Sequence, residues 1–414
     1  MSRIQSITAF LGLQRSTVGM LSMLILVGMG ERMAERFLPI YLLALGGGPI
    51  VIGLLNGFDN LFSALYAFPG GYLSDRLGFK KSLLVFNLIA MFGFLLVILI
   101  PAWPAVLVGA VFFLSWSAIS LPATMSLVAK ALPMSKRTMG VSMHSLVRRI
   151  PMALGPLLGG LCIGVWGDRS GVRLAFVAAF LLSVVAAVMQ QKLIRDDSPT
   201  QTGTKSAVKP EKNPIRLFRQ MSASLKRLLI SDILVRFCEQ IPYAFVVVWC
   251  LKVIKEPVTA FQFGILTSIE MLTAVLIYIP VAYLADRSAK KPFVVMTFIF
   301  FTFFPLMLLL SESFPMLALA FILRGLKEFG EPTRKALIMD LAPEDRKAAM
   351  FGLYYMIRDV VVSLAAFGGA FLWLVSPSLN YLTAFTFGLI GTAIFAFWGS
   401  DLSTTPAGTD GMME

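Results

Sequence analysis

The sequence predicts an all-α polytopic membrane protein with twelve transmembrane helices in two pseudo-symmetric six-helix bundles. Three observations carry that prediction. Of 414 residues, 57% are hydrophobic and only 14% charged, and the mean hydropathy is +0.80, whereas soluble domains carry about 25% charged residues. The apolar residues gather into runs long enough to cross a bilayer as helices, which takes about 20 residues. The second half of the chain repeats features of the first at an offset near 210 residues. The composition excludes disorder, because a chain with 34 Phe cannot stay solvated without burying them.

Helices are expected over 17–45, 50–73, 81–101, 104–130, 137–166 and 171–193, then over 228–252, 258–284, 291–310, 314–340, 346–374 and 378–400. The runs exceed the alternating ten-residue segments of membrane barrels, and a backbone in hydrocarbon must satisfy its own hydrogen bonds. The first run carries Glu31, Arg32, Glu35 and Arg36 and lacks a cleavage site, so it reads as a retained span rather than a signal peptide. Cys162, Cys238 and Cys250 stand alone in apolar runs, and His144 is the only histidine. No metal site, disulfide framework or cofactor is implied.

Lys and Arg divide unevenly between alternate connections. Twenty-two fall on one side, including Arg76, Lys80, Lys81, Lys290, Lys291 and nine from Lys192 to Arg227; Arg169, Arg173, Lys252 and Lys255 fall on the other. The positive-inside rule makes the first side cytoplasmic, with both termini inside, and an integral protein of a bacterial inner (plasma) membrane is expected. The domains expected are an N-terminal bundle (1–194), a polar cytoplasmic linker (195–225), a C-terminal bundle (226–401) and a short tail (402–414). The linker's basic residues read as a tether or as a contact with lipid headgroups. The net charge of +13 is thus an orientation signal, and no nucleic-acid partner is implied.

The internal repeat is specific. Gly53 and Asp59 correspond to Gly264 and Glu270, and sixteen residues beyond each carboxylate stands another, Asp75 and Asp286, each followed by Arg. The run Gly71-Tyr-Leu-Ser-Asp75-Arg76-Leu-Gly78-Phe-Lys80-Lys81 is paralleled by Ala282-Tyr-Leu-Ala-Asp286-Arg287-Ser-Ala-Lys290-Lys291. The first run resembles the G-x-L-A-D-R-x-G-R-K signature of the major facilitator superfamily, with Ser74 and Phe79 departing from it. Gly155-Pro156-Leu-Leu-Gly159-Gly160 resembles the core of the antiporter motif of drug exporters in that superfamily, although Pro151 replaces an upstream glycine. The resemblance covers the whole chain. It implies parallel repeats, a solute site between them, and a switching role for the motif at Gly71, Asp75, Arg76, Gly78 and Lys80 and its copy at Asp286 and Arg287. A charged turn that only sets topology is the alternative.

Leaving aside the nine Lys and Arg at span ends that are counted with the loops, twenty Asp, Glu, Lys and Arg fall within the predicted spans. A central charge costs about 2.5–3.5 kcal/mol on insertion scales, so these groups must face one another or a wet cavity. They lie on the first, second, fifth, seventh, eighth, tenth and eleventh spans; the third, sixth, ninth and twelfth have none at mid-depth and read as lipid-facing supports. Asp59 and Glu270 have no opposite charge within four residues. Burial favours the neutral carboxyl, which makes them the leading proton-coupling candidates, ahead of Glu31 and Glu35. Arg32 and Arg236 stand three residues before Glu35 and Glu239, the spacing of an ion pair. On the tenth span Arg324, Lys327, Glu328, Glu331, Arg334 and Lys335 form a stripe at spacings of three and four. It reads either as solute-contacting or as a ladder of pairs Arg324–Glu328 and Lys327–Glu331. Arg148 and Arg358 fit an anion clamp or a tie to a carboxylate, and Trp116 fits a stacking or a packing role.

The function expected is secondary active transport of a small organic solute by alternating access, proton-coupled, leaning towards efflux or antiport and towards an anionic or zwitterionic solute. A proton-coupled uptake symporter is one alternative, and a non-transporting sensor or scaffold another. No nucleophile–base constellation or Walker loop marks an enzyme or an ATPase. The partners implied are the solute, protons and the lipid bilayer, with a monomer as the working unit.

Overall fold

The computed structural model describes residues 15–114, 116, 120, 137–194, 214–285, 289–343 and 347–400. Helices follow one another as α1 (Arg15–Glu35), α2 (Leu38–Ala44), α3 (Pro49–Leu77), α4 (Phe79–Leu99), α5 (Trp103–Phe113) and α6 (Arg137–Leu193). After the linker come α7 (Pro214–Gln220), α8 (Ala223–Gln240), α9 (Ala260–Ala285), α10 (Lys291–Leu309), α11 (Phe314–Leu326), α12 (Glu331–Asp340), α13 (Lys347–Val375) and α14 (Pro377–Trp398). Each predicted span coincides with helix over at least part of its length, and no strand occurs among the described residues. Seven helical stretches are long and apolar enough to cross a membrane by length and composition.

The fifth and sixth spans run together as α6 and divide at Gly167, which takes φ 77°, a left-handed conformation open to glycine. Gly78, at φ 79°, makes the one-residue turn between α3 and α4 in the same way. Polar contacts sort the turns into two ends. At one end, Lys252 pairs with Asp168 at 2.8 Å, Lys255 with Glu312 at 3.1 Å, and Arg173 Nε donates to Ile98 O at 2.8 Å. At the other, which carries the linker, Gln190 Nε2 donates to Lys80 O at 2.7 Å, Ser222 Oγ to Leu341 O at 3.2 Å, and Lys290 pairs with Asp340. These are the basic-poor and basic-rich sides of the sequence.

Two seams join the halves away from the linker. Along one, the first arm of α6 meets α9: a methyl group on Gly160 would strike Ala260 O, and one on Gly264 would lie 2.7 Å from Pro156 O. In a bilayer small residues let helix backbones approach where no hydrophobic force draws them together. Along the other, α3 meets α13, with Phe367 over Gly57. Large apolar side chains on α4 (Leu88, Phe92), on the second arm of α6 (Leu181, Val185), on α10 (Phe303) and on α14 (Leu382, Leu389) point outward. The four spans without mid-depth charge therefore carry the surface suited to lipid.

Three spans expected to be continuous are interrupted. The first breaks at Arg36–Phe37, with Pro39 in the first turn of α2. The seventh leaves α8 at Gln240 and continues past Pro242 as a 3-10 turn (Tyr243–Phe245), a single α turn (Val246–Val248) and a π turn (Trp249–Val253). The tenth breaks over 327–330 between α11 and α12, where Pro332 opens α12 and the Gly330 amide donates to Thr297 Oγ1 at 2.6 Å. Proline lacks the N–H that would continue each ladder and favours the first turn of a new helix.

Candidate functional site

The three interruptions bound one cavity. Its volume is about 500 Å³, and its walls include Glu35 and Arg36 beside the first break, Asn56 and Asp59 from α3, Tyr243 and Val247 from the second, and Arg324 just before the third. Non-helical backbone at membrane depth is tolerated where it lines such a space or is buried in protein. The cavity is shared between the halves. Arg36 Nη1 donates to Tyr243 Oη at 3.0 Å, Asn56 Nδ2 to Gln240 O at 3.2 Å, and Asn60 Nδ2 to Gln240 Oε1 at 3.2 Å. Phe37 packs edge-on against Phe263 at 5.9 Å. Between described residues, the hydrogen bonds and ion pairs joining the halves extend no nearer the linker end than Arg149–Glu328, at 2.9 Å.

The C-terminal half holds a continuous network of ions. Arg324 and Lys327 approach Glu270 at 3.3 and 3.5 Å, and Lys327 binds Glu239 at 2.8 Å. Arg236 carries the chain onward, bonding Glu239 at 2.6 Å and approaching Glu331 at 3.5 Å. Arg334, 1% exposed, grips Asp232 and both oxygens of Glu331, while Tyr354 Oη donates to Asp232 at 3.0 Å. Arg358 lies 3.5 Å from Asp232 and 2.7 Å from Asp359. Buried charges persist only where partners of opposite sign and hydrogen bonds replace water; each acid in this network has a cation within ion-pair distance, and Glu270 alone has neither oxygen hydrogen-bonded among the described residues.

Several expectations are confirmed in detail and others corrected. The pairs Arg32–Glu35 (2.7 Å) and Arg236–Glu239 form as their spacing predicts. The ladder on the tenth span does not: the break at 327–330 turns its members apart, so Arg324 goes to Glu270, Lys327 to Glu239, Glu328 to Arg149 and Glu331 to Arg334. Glu270, without a neighbour of opposite charge in sequence, has two in space. Asp59 is half-buried at the cavity wall. The cation acting on it, Arg32, is already bound to Glu35.

Arg358 is tied to carboxylates. Arg148 is not, and with Glu31, Arg32 and Trp116 it lines a second cavity of about 270 Å³ in the N-terminal half. Gly155 and Gly159 press against the backbone of Arg32 and Met33, so the Gly155–Gly160 element seats the fifth span on the first and, through Gly160, on α9. Gly71 and Asp75 fall in α3 and Arg76 is exposed; the side chain of Asp75 and all of Asp286 and Arg287 lie outside the described residues. Of the most buried members of the network, Arg334 belongs to the stripe read on the tenth span, whereas Asp232 and Tyr354 are not among the site residues the sequence suggests. The signal available was their placement on the charged faces of the seventh and eleventh spans.

Helices in two halves around a charged central cavity are the architecture of a membrane transport protein. The sequence profile of the Major Facilitator Superfamily matches residues 20–257 and 243–412, and the chain belongs to that superfamily of transporters. It is 22% identical over 389 residues to an uncharacterized MFS-type transporter of Methanocaldococcus jannaschii, covering 89% of this chain and 91% of the relative. Among solved structures, a nucleoside transporter aligns with a TM-score of 0.77 at 13% identity, covering 93% of this chain and 99% of that one. A POT family transporter in complex with 5-aminolevulinic acid gives 0.73 at 13% identity over 92% and 96%. A D-xylose–proton symporter gives 0.69 at 12% over 92% and 97%. At these identities the structural likeness concerns the fold. The protein is an integral membrane protein of this superfamily.

Proposed function

We propose that the protein is a secondary active transporter that moves a small anionic or zwitterionic organic solute by alternating access, exchanging it outward for protons. The observation that carries this reading is the cavity of about 500 Å³ between the halves, whose largely apolar wall carries Glu35, Arg36, Asp59 and Arg324, packed shut on the side away from the linker by the α6–α9 and α3–α13 seams. A site bounded by two bodies and closed on one side is what rocking of the bodies exposes alternately. With the linker and both termini cytoplasmic, as the basic loops imply, this is the conformation closed to the outside, and the membrane is a bacterial inner membrane.

Asp59 is the proton carrier in this reading. It faces the cavity, and the ion pair Arg32–Glu35 leaves it to exchange a proton with water instead of holding a cation. Glu270, bound by Arg324 and Lys327, is available only once those contacts open. The Asp75 turn and its counterpart at Asp286 serve as latches that form when the linker side closes. The monomer is the working unit, since both walls of the cavity belong to one chain.

The test begins with a solute library screened by thermal stabilisation of the purified protein. A stabilising solute is then added to proteoliposomes holding a pH-sensitive dye. Protons moving against the solute support exchange. Protons moving with it would turn the reading to symport, and solute flux without protons would remove the coupling.

A further inference from the structure

Two hydrogen-bond donors face the smaller cavity without an acceptor. Trp116 is 3% exposed, and its indole N–H is buried with no partner. Arg148 lines the same cavity. Among the described residues no carboxylate lies within ion-pair distance of it. Its neighbours are occupied: Arg32 holds Glu35 at 2.7 Å, and Arg149 holds Glu328 at 2.9 Å. Every other described arginine of the membrane interior has a carboxylate or, for Arg36, the hydroxyl of Tyr243. A buried N–H without an acceptor and a guanidinium without a counter-ion are both unfavourable in a low-dielectric interior.

We infer that the Arg148–Trp116 cavity binds the carboxylate of the transported solute, and that it restricts the solute to small organic monoanions and zwitterions. This rests on the transport reading above. A guanidinium presents a planar fork of donors that matches a carboxylate, and an indole offers a donor and no acceptor. The pair therefore selects a group that only accepts, and disfavours a neutral amide, an alcohol or a cation. Glu31 shares the cavity with Arg148 without an ion pair between them, so the guanidinium keeps its donors for one further anionic group. Glu31, 3% exposed, lines the same cavity and repels a second anionic charge while favouring an ammonium group. Phosphate would satisfy the same donors, but its second charge is opposed by Glu31. Glu31 and Arg32 face this cavity, whereas Glu35 and Arg36 face the larger one a helical turn away, so the rest of the solute extends towards the space between the halves.

The test uses the full chain, purified, with thermal stabilisation read for short monocarboxylates and amino acids, for the amides of the same acids, and for inorganic phosphate. Carboxylates and amino acids raise the melting temperature of the wild type, and amides do not. Arg148→Gln removes the response, and Trp116→Phe weakens the half-saturating concentration about tenfold, as expected for one lost bond to a charged acceptor. Arg148→Gln does not lower the melting temperature of the ligand-free protein, whereas Trp116→Phe, which trims a ring packed in the core, lowers that baseline, so its effect on binding is read as the half-saturating concentration. Equal stabilisation by amides, an undiminished response in Arg148→Gln, or no response to any carboxylate overturns the inference. An Arg148-dependent response to phosphate stronger than to carboxylates overturns the choice of carboxylate. Flux measured in parallel separates the two readings. Arg148-dependent binding without flux leaves this site and removes transport, whereas flux of a solute that ignores Arg148 leaves transport and removes this site.

Discussion

Asp59 and Glu270 stand at matching positions of the two repeats, and their surroundings differ. Glu270 is 1% exposed and enclosed by Arg324 and Lys327, members of a network that runs through Arg236 and Arg334 to Arg358. Asp59 faces the cavity, and across the N-terminal half Arg148 is likewise without a counter-ion. One half has converted its intramembrane charge into internal structure; the other keeps charge facing the space between the halves. A duplicated scaffold thus divides its work. The C-terminal half holds the denser network of ion pairs, and the N-terminal half carries Asp59 and Arg148 at cavity walls.

The largest expected effects break the C-terminal half. Arg334→Leu leaves Asp232 only the longer approaches of Arg358 and Arg236, and Asp232→Asn leaves Arg334 with Glu331 alone; breaking a buried pair costs up to about 3–5 kcal/mol, and the yield of folded, monodisperse protein should fall. Asp59→Asn should leave the melting temperature unchanged yet abolish uphill transport while solute exchange persists. A fall in stability there as large as that of Asp232→Asn would erase the contrast between the halves. Glu270→Gln should lower both melting temperature and transport, since it strands Arg324, while Lys327 keeps Glu239. Next comes the seam. Gly160→Leu drives a side chain into Ala260, and overpacking of about 1–3 kcal/mol falls only on the conformation closed away from the linker. Spin labels at positions 168 and 252 should then move apart. The smallest effect belongs to Lys255→Ala, whose pair with Glu312 lies at 3.1 Å with side chains 74% and 61% exposed; such surface pairs contribute about 0–1 kcal/mol, and the melting curve should not move.

The spans were legible because long apolar runs admit one solution in hydrocarbon, and the local pairs Arg32–Glu35 and Arg236–Glu239 because three residues is one helical turn. The partners of Glu270 were not. They sit on another span more than fifty residues away, a distance no helical period reports. The ladder on the tenth span failed for a related reason: its spacing assumed an unbroken helix, whereas Gly330 and Pro332 divide it. Pro39, Pro242 and Pro332 marked all three interruptions. Pro151, Pro156, Pro280 and Pro305, by contrast, lie inside helices that continue through them, so proline alone does not separate a break from an unbroken span.

Arg334 and Asp232, which hold each other in the finished fold, are separated by 102 residues. At roughly 5–20 residues per second, the ribosome delivers the arginine roughly 5–20 s after the aspartate. During that interval the seventh span carries Asp232, Arg236 and Glu239 with no tenth span to receive them, each such charge costing about 2.5–3.5 kcal/mol at the bilayer centre. The nascent chain must therefore wait at the insertion machinery, or shelter against the first six helices, until its counter-charges arrive. The network that pairs the charges of the mature half also sets a timetable for its birth: the second bundle enters the membrane as a group.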